Sequence, residues 1–157
     1  MAHKKNDSSA RVRRITRPIQ HIVVHCSETN DIHSAKELKA LFEKEERPPF
    51  GFHFVVDELG NVQTGIDVSK VGYHCSYPGI EYSGIAVCYL GGKKEDGTIT
   101  DTRTPAQMIA LRAVVSTLKT MFPDAEISGH NNWDRKAKCP GYDARREYAD
   151  IDGLPLK

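Results

Sequence analysis

Ile22-Val23-Val24-His25-Cys26-Ser27 is a short run of mostly β-branched apolar residues that closes on a histidine. Branched side chains suit a pleated surface, and the run is too short for an ordinary helix, so Ile19 to His25 reads as a buried strand. A side chain at the end of such a strand is held on a rigid element. About a hundred residues on, Ser128-Gly129-His130 is followed by Cys139-Pro140-Gly141, where proline and glycine mark an irregular loop that can aim the thiol. Two imidazoles and one thiolate suffice as the inner shell of a zinc ion that keeps its fourth position open for water, the arrangement of catalytic rather than structural zinc. If His25, His130 and Cys139 converge, the chain is a metal-dependent hydrolase.

Outward from the first strand, Ser34-Ala35-Lys36-Glu37 has the form of a capping box, and Leu38, Leu41 and Phe42 repeat at helical spacing. This predicts a helix over 35–46, ended by Pro48-Pro49. Gly51 to Asp57 and Val62 to Ile66, joined across Glu58-Leu59-Gly60-Asn61, predict a hairpin, and Gly84 to Leu90 a further strand closed by Gly91-Gly92. Thr104-Pro105-Ala106-Gln107 supplies an N-cap, a first-position proline and a capping-box glutamine. Met108, Leu111, Val114, Val115 and Leu118 then form one apolar stripe, predicting a helix that stops before Pro123. Ala125 to Ser128 reads as a short strand delivering His130, and Asp143 to Tyr148 as a last helical piece. This mixed order of strands and helices predicts an α/β fold, a central mixed sheet packed by helices.

The 157 residues, 39% hydrophobic, suit one domain with a real core. We expect a polar basic leader over 1–18, the catalytic domain over 19–150 and a tail over 151–157. Lys4, Lys5, Arg11, Arg13, Arg14 and Arg17 crowd the leader, yet 22 basic side chains stand against 21 acidic ones, so no global charge argues for nucleic acid. No run has the length of a signal-peptide core or of a membrane span of ~20 apolar residues, which predicts a protein that is cytoplasmic when made. Without a secretory signal, Cys26, Cys75, Cys88 and Cys139 read as reduced thiols, and Cys88, inside an apolar run, as a small buried hydrophobe. Nothing demands more than a monomer.

Val24-His25-Cys26-Ser27, Gly51-Phe52-His53-Phe54, Gly60-Asn61-Val62, Gly72-Tyr73-His74, Gly84-Ile85-Ala86-Val87 with Gly91-Gly92, Thr104-Pro105-Ala106-Gln107, Gly129-His130 and Cys139-Pro140-Gly141 occur in this order. Together they resemble the type 2 N-acetylmuramoyl-L-alanine amidases, a superfamily that includes phage lysozyme-amidases and peptidoglycan recognition proteins. The resemblance covers about 19–148. It implies an amidase-like single domain and a zinc enzyme that cuts the amide between the lactyl group of muramic acid and L-alanine of the peptide stem. It also implies His25, His130 and Cys139 as zinc ligands, and His74 as a residue lining the substrate groove.

The sequence departs from these relatives at two places. The position of Phe52 usually carries tyrosine in phage enzymes and glutamate in other branches, and phenylalanine has neither proton nor lone pair to offer. The lysine usual two residues before the last ligand is replaced by Ala137, flanked by Lys136 and Lys138, either of which could bring an ammonium to the carbonyl oxygen. Tyr73 or Tyr82 could replace the hydroxyl missing at Phe52. Trp133 is suited to stacking on a sugar face or to packing its loop, and His53 to a core role. Three functions follow from the resemblance: a phage or prophage endolysin, cytoplasmic when made and acting on the cell wall after release; a muropeptide-binding module of weak activity; or a polymerase-interacting regulator using the basic leader.

Overall fold

The computed structural model describes residues 14–153. Five strands form one sheet: β1 (His21–Cys26), β2 (Phe54–Val56), β3 (Val62–Thr64), β4 (Gly84–Tyr89) and β5 (Glu126–Gly129), in the spatial order β3-β2-β4-β1-β5. β4 and β5 flank β1 in parallel, β2 is parallel to β4, and β3 closes the edge as the antiparallel partner of β2. The sheet is therefore mixed, as the element order predicted.

Strand alternation sorts the core into two faces. Ile22, Val24 and Cys26 of β1, with Ile85, Val87 and Tyr89 of β4, meet Leu111, Val115 and Leu118 of α3 (Pro105–Met121) and Ala144 beside them at the start of α4 (Ala144–Glu147). Val55, Ala86 and Cys88 face the other way onto Ala35 and Leu38 of α1 (Ala35–Lys44). Val23 lies with Cys75 and with Ile80 of α2 (Pro78–Ser83). α2, like the short helix at 149–152, has no signal in the sequence pattern. Six residues are too few for an apolar stripe to show.

Helix ends follow their side chains. Thr104 and Gln107 form the full capping box, and the Gln107 amide reaches on to donate to the carbonyls of Val56 (3.3 Å) and Leu90 (2.9 Å), tying α3 to the sheet. At α1 only half of the expected box forms. Ser34 Oγ accepts from Glu37 N, but the Glu37 carboxylate turns to His33 N instead (2.9 Å). α1 also stops at Lys44, before the two prolines, because Glu46 takes a left-handed φ of 50°.

Arg17, assigned to the leader, is buried: its guanidinium donates to the carbonyls of Val68, Tyr82 and Gly84 at 2.8–2.9 Å and lies 3.3 Å from His53 Nε2. A buried arginine needs such acceptors, and here it fastens the incoming chain to the start of β4. The remaining leader residues up to Arg13 lie outside the described residues. At the other end α5 (Ala149–Asp152) packs on the body, with Asp152 paired to Lys119 at 2.7 Å. The end of the expected tail, 154–157, lies outside the described residues. No helix among those described is long and apolar enough to cross a membrane.

Candidate metal centre

β1 and β5 run parallel with Val24 opposite Gly129, so His25 in β1 and His130 just past the end of β5 emerge side by side at the carboxyl edge of the sheet. Their ring centroids are 5.0 Å apart. Loop ends at this edge are where open α/β sheets place ligands. A 3₁₀ turn over His130–Asn132 carries the chain away, and the loop returns to Cys139, whose carbonyl accepts from Asn131 N (2.9 Å). The following peptide, Cys139–Pro140, is cis, and the Pro140 carbonyl accepts from the Tyr89 hydroxyl at 2.7 Å. Gly141 has φ +90°, and a Cβ there would lie 2.4 Å from the Thr100 backbone, so only glycine fits the loop against its neighbour.

One ligand atom from each of His25, His130 and Cys139 lies within 4.8 Å of the others. Cys139 Sγ is 3.6 Å from His25 Nδ1, and tetrahedral zinc with ordinary Zn–S and Zn–N bonds holds two such atoms about 3.5 Å apart. Cys26 points to the other face of β1, yet its backbone N–H donates to Cys139 Sγ (3.1 Å), because the thiol sits beyond the end of the strand where both faces are within reach. That donor favours negative charge on the sulfur. Burial, and then the neighbouring imidazoles of His74 and His130, hold His25 well below the ordinary histidine range, so it is neutral as a ligand must be. Burial also lowers His130, against the opposing pull of Asp134 and Glu28, and raises the Cys139 thiol. The donor set and its spacing thus suit zinc.

The other residues singled out in the sequence fall around this trio at different depths. Phe52 is 8% exposed and forms an apolar wall, its ring 5.2 Å from that of His25 and packed on Phe50 and Phe42. His74 stands behind His25: its Nδ1 lies 2.9 Å from His25 Nε2, and burial pushes its pKa down to about 3. Lys136 and Lys138 are exposed and line a cleft of about 470 Å³ with Glu28, Ala137 and the turn 96–99. Tyr73 and Tyr82 are both more than half exposed. Trp133 packs with Val23, Cys75 and Ile80, and its indole donates to Ser128 Oγ at 2.8 Å. His53 is fully buried, accepting from Ala86 N on Nδ1 (2.9 Å) and facing the Lys70 carbonyl from Nε2 (2.8 Å), the core role expected of it. All four cysteines are free and buried.

Two carboxylates went unnoticed in the sequence. Glu28, three residues after His25, adopts φ 54° and brings an oxygen within 4.8 Å of the Cys26 and Cys139 thiols. Glu81 lies under the His74 segment, on a helix that the hydrophobic pattern had not revealed.

The sequence profile of the N-acetylmuramoyl-L-alanine amidase family matches residues 15–142. The endolysin of Escherichia phage T7 is 32% identical over 127 residues, 80% of this chain and 82% of that one, and the endolysin of Klebsiella phage KP32 is 33% identical over 128 residues with the same coverage. Among solved structures, the N-acetylmuramoyl-L-alanine amidase LysC of Clostridium intestinale superposes with a TM-score of 0.71 at 20% identity, covering 88% of each chain. Drosophila PGRP-LB superposes with 0.65 at 16% identity, over 92% of this chain and 85% of its own.

Proposed function

The chain belongs to the N-acetylmuramoyl-L-alanine amidase family, and on that premise we propose that His25, His130 and Cys139 hold the zinc ion of a peptidoglycan-cutting endolysin. The enzyme hydrolyses the amide between the lactyl group of N-acetylmuramic acid and L-alanine. The observation that carries the metal assignment is the convergence of two neutral imidazoles and a thiol within 4.8 Å at one sheet edge.

When bound there, zinc lowers the pKa of a coordinated water towards ~7 and polarises a carbonyl. The chain's own residues supply the rest. His25 and His130 are kept neutral by burial, and the Cys26 N–H steadies the charge of Cys139. Phe52 excludes water from the flank of His25 and handles no proton. Lys138, next to Cys139, or Lys136 brings an ammonium to the substrate carbonyl, where negative charge grows as the amide is attacked. Tyr73 and Tyr82, both exposed, are the candidates for the hydroxyl missing at Phe52, and His74 and Trp133 are the candidate substrate contacts. The protein is made in the cytoplasm and reaches the wall on release.

The test is incubation of zinc-loaded protein with purified peptidoglycan and with a soluble muropeptide, scored by mass spectrometry against a chelated control. Free peptides beginning at L-alanine, formed only with metal, are expected. Equal release in the chelated sample would overturn the zinc assignment.

A further inference from the structure

The pair His25–His74 raises the question of what sets the second ring. If His25 ligates through Nδ1, its proton sits on Nε2 and is donated to His74 Nδ1, which is 2.9 Å away. That leaves the His74 proton on Nε2, and this atom is buried with no hydrogen-bond partner among the described residues. The His74 ring therefore has one hydrogen bond, the one to His25, and no other side-chain bond to orient it. Its position is inherited from its backbone.

That backbone is irregular, and Ser76 in it takes φ 58°. A single oxygen, Oε1 of Glu81, accepts from the N–H groups of His74 (2.9 Å), Cys75 (3.1 Å) and Ser76 (3.0 Å). Glu81 is 8% exposed, and a buried carboxylate that gathers three amides holds them more firmly than neutral acceptors would. Cys75, buried against Val23 and Ile80, pins the middle of the same segment. We propose that Glu81 is a positioning residue of the metal centre: it fixes the 74–76 segment so that His74 Nδ1 accepts from His25 Nε2, which leaves His25 Nδ1 free to ligate. The proposal rests on the zinc reading of the site.

Two measurements test it. In metal-free protein carrying ¹⁵N-histidine, the His25 ring shifts should show the proton on Nε2, and in Glu81→Ala they should move towards a mixture of tautomers. By chelator competition, zinc affinity should fall about 10–100-fold in Glu81→Ala, as for other outer partners of ligating histidines. It should fall by a similar factor in His74→Ala and no further in the double variant. Glu81→Gln, which keeps an acceptor oxygen, should recover most of the loss. If Glu81→Ala fails to fold, Glu81→Gln carries the test, with about a threefold loss and a measurable tautomer shift expected. Parent-like affinity with an unchanged His25 tautomer, or losses that add in the double variant, would overturn the proposal. Because the tautomer is read without metal, a parent protein that binds no zinc sinks the metal assignment and not the Glu81–His74–His25 coupling.

Discussion

Replacing Cys139 by serine exchanges a thiolate for a hydroxyl that zinc binds poorly at neutral pH, so metal affinity should drop by at least about tenfold and wall hydrolysis with it. Equilibrium dialysis and a turbidity assay on the Cys139→Ser variant check this. Phe52→Tyr should act in the opposite sense. Its ring already stands 5.2 Å from that of His25, and a proton-carrying group beside the reacting atoms is worth about 100-fold in favourable cases, so a rise in kcat of about tenfold is expected. An unchanged kcat would show that another group handles the proton. The three proposed ligands stand out in the sequence because each sits beside a marker: an apolar strand before His25, Ser128-Gly129 before His130, and Pro140-Gly141 after Cys139. Glu81 could not. Its role depends on three backbone amides seven, six and five residues earlier, brought over it by a turn that carries no composition signal.

At the level of elements, α3 was the most plainly written, and its cap is open to test. Thr104 Oγ1 accepts from Gln107 N at 3.1 Å and donates to the Glu58 carbonyl at 2.8 Å. Thr104→Ala should therefore cost about 1–2 kcal/mol and lower Tm by a few degrees, measured by thermal denaturation. The strands were foreseen within a few residues because branched and aromatic residues cluster in them. The α1 terminus was placed two residues late, since the left-handed turn at Glu46 ends the helix before the prolines act. What no periodicity could supply was the strand order. The pairing of β1 with both β4 and β5 joins segments about sixty and about a hundred residues apart, and it is this pairing that sets His25 beside His130.

For the molecule as a whole, buried histidines make stability depend on pH. His53 is held down to about 4, first by burial and with the Arg17 guanidinium adding to it, while the unfolded chain titrates it near 6.5. Between those values the unfolded state binds the extra proton, so stability rises with pH through that window and is lost as pH falls from about 6.5 towards 4. The slope from this residue approaches about 1.4 kcal/mol per pH unit. Urea midpoints at pH 7, 6 and 5 should decline accordingly, and His53→Gln should flatten the decline. Arg17 is buried although its segment is basic and polar, because such a segment reads as solvated until the carbonyls that it serves are known. One packing detail has a practical use. Trp133, the single tryptophan, lies between His130 and Cys139 with its indole bonded to Ser128 and the His21 ring edge-on at 5.2 Å. Its intrinsic fluorescence therefore comes from the loop joining two of the three proposed ligands, so the chain carries a native optical reporter whose emission needs no added label.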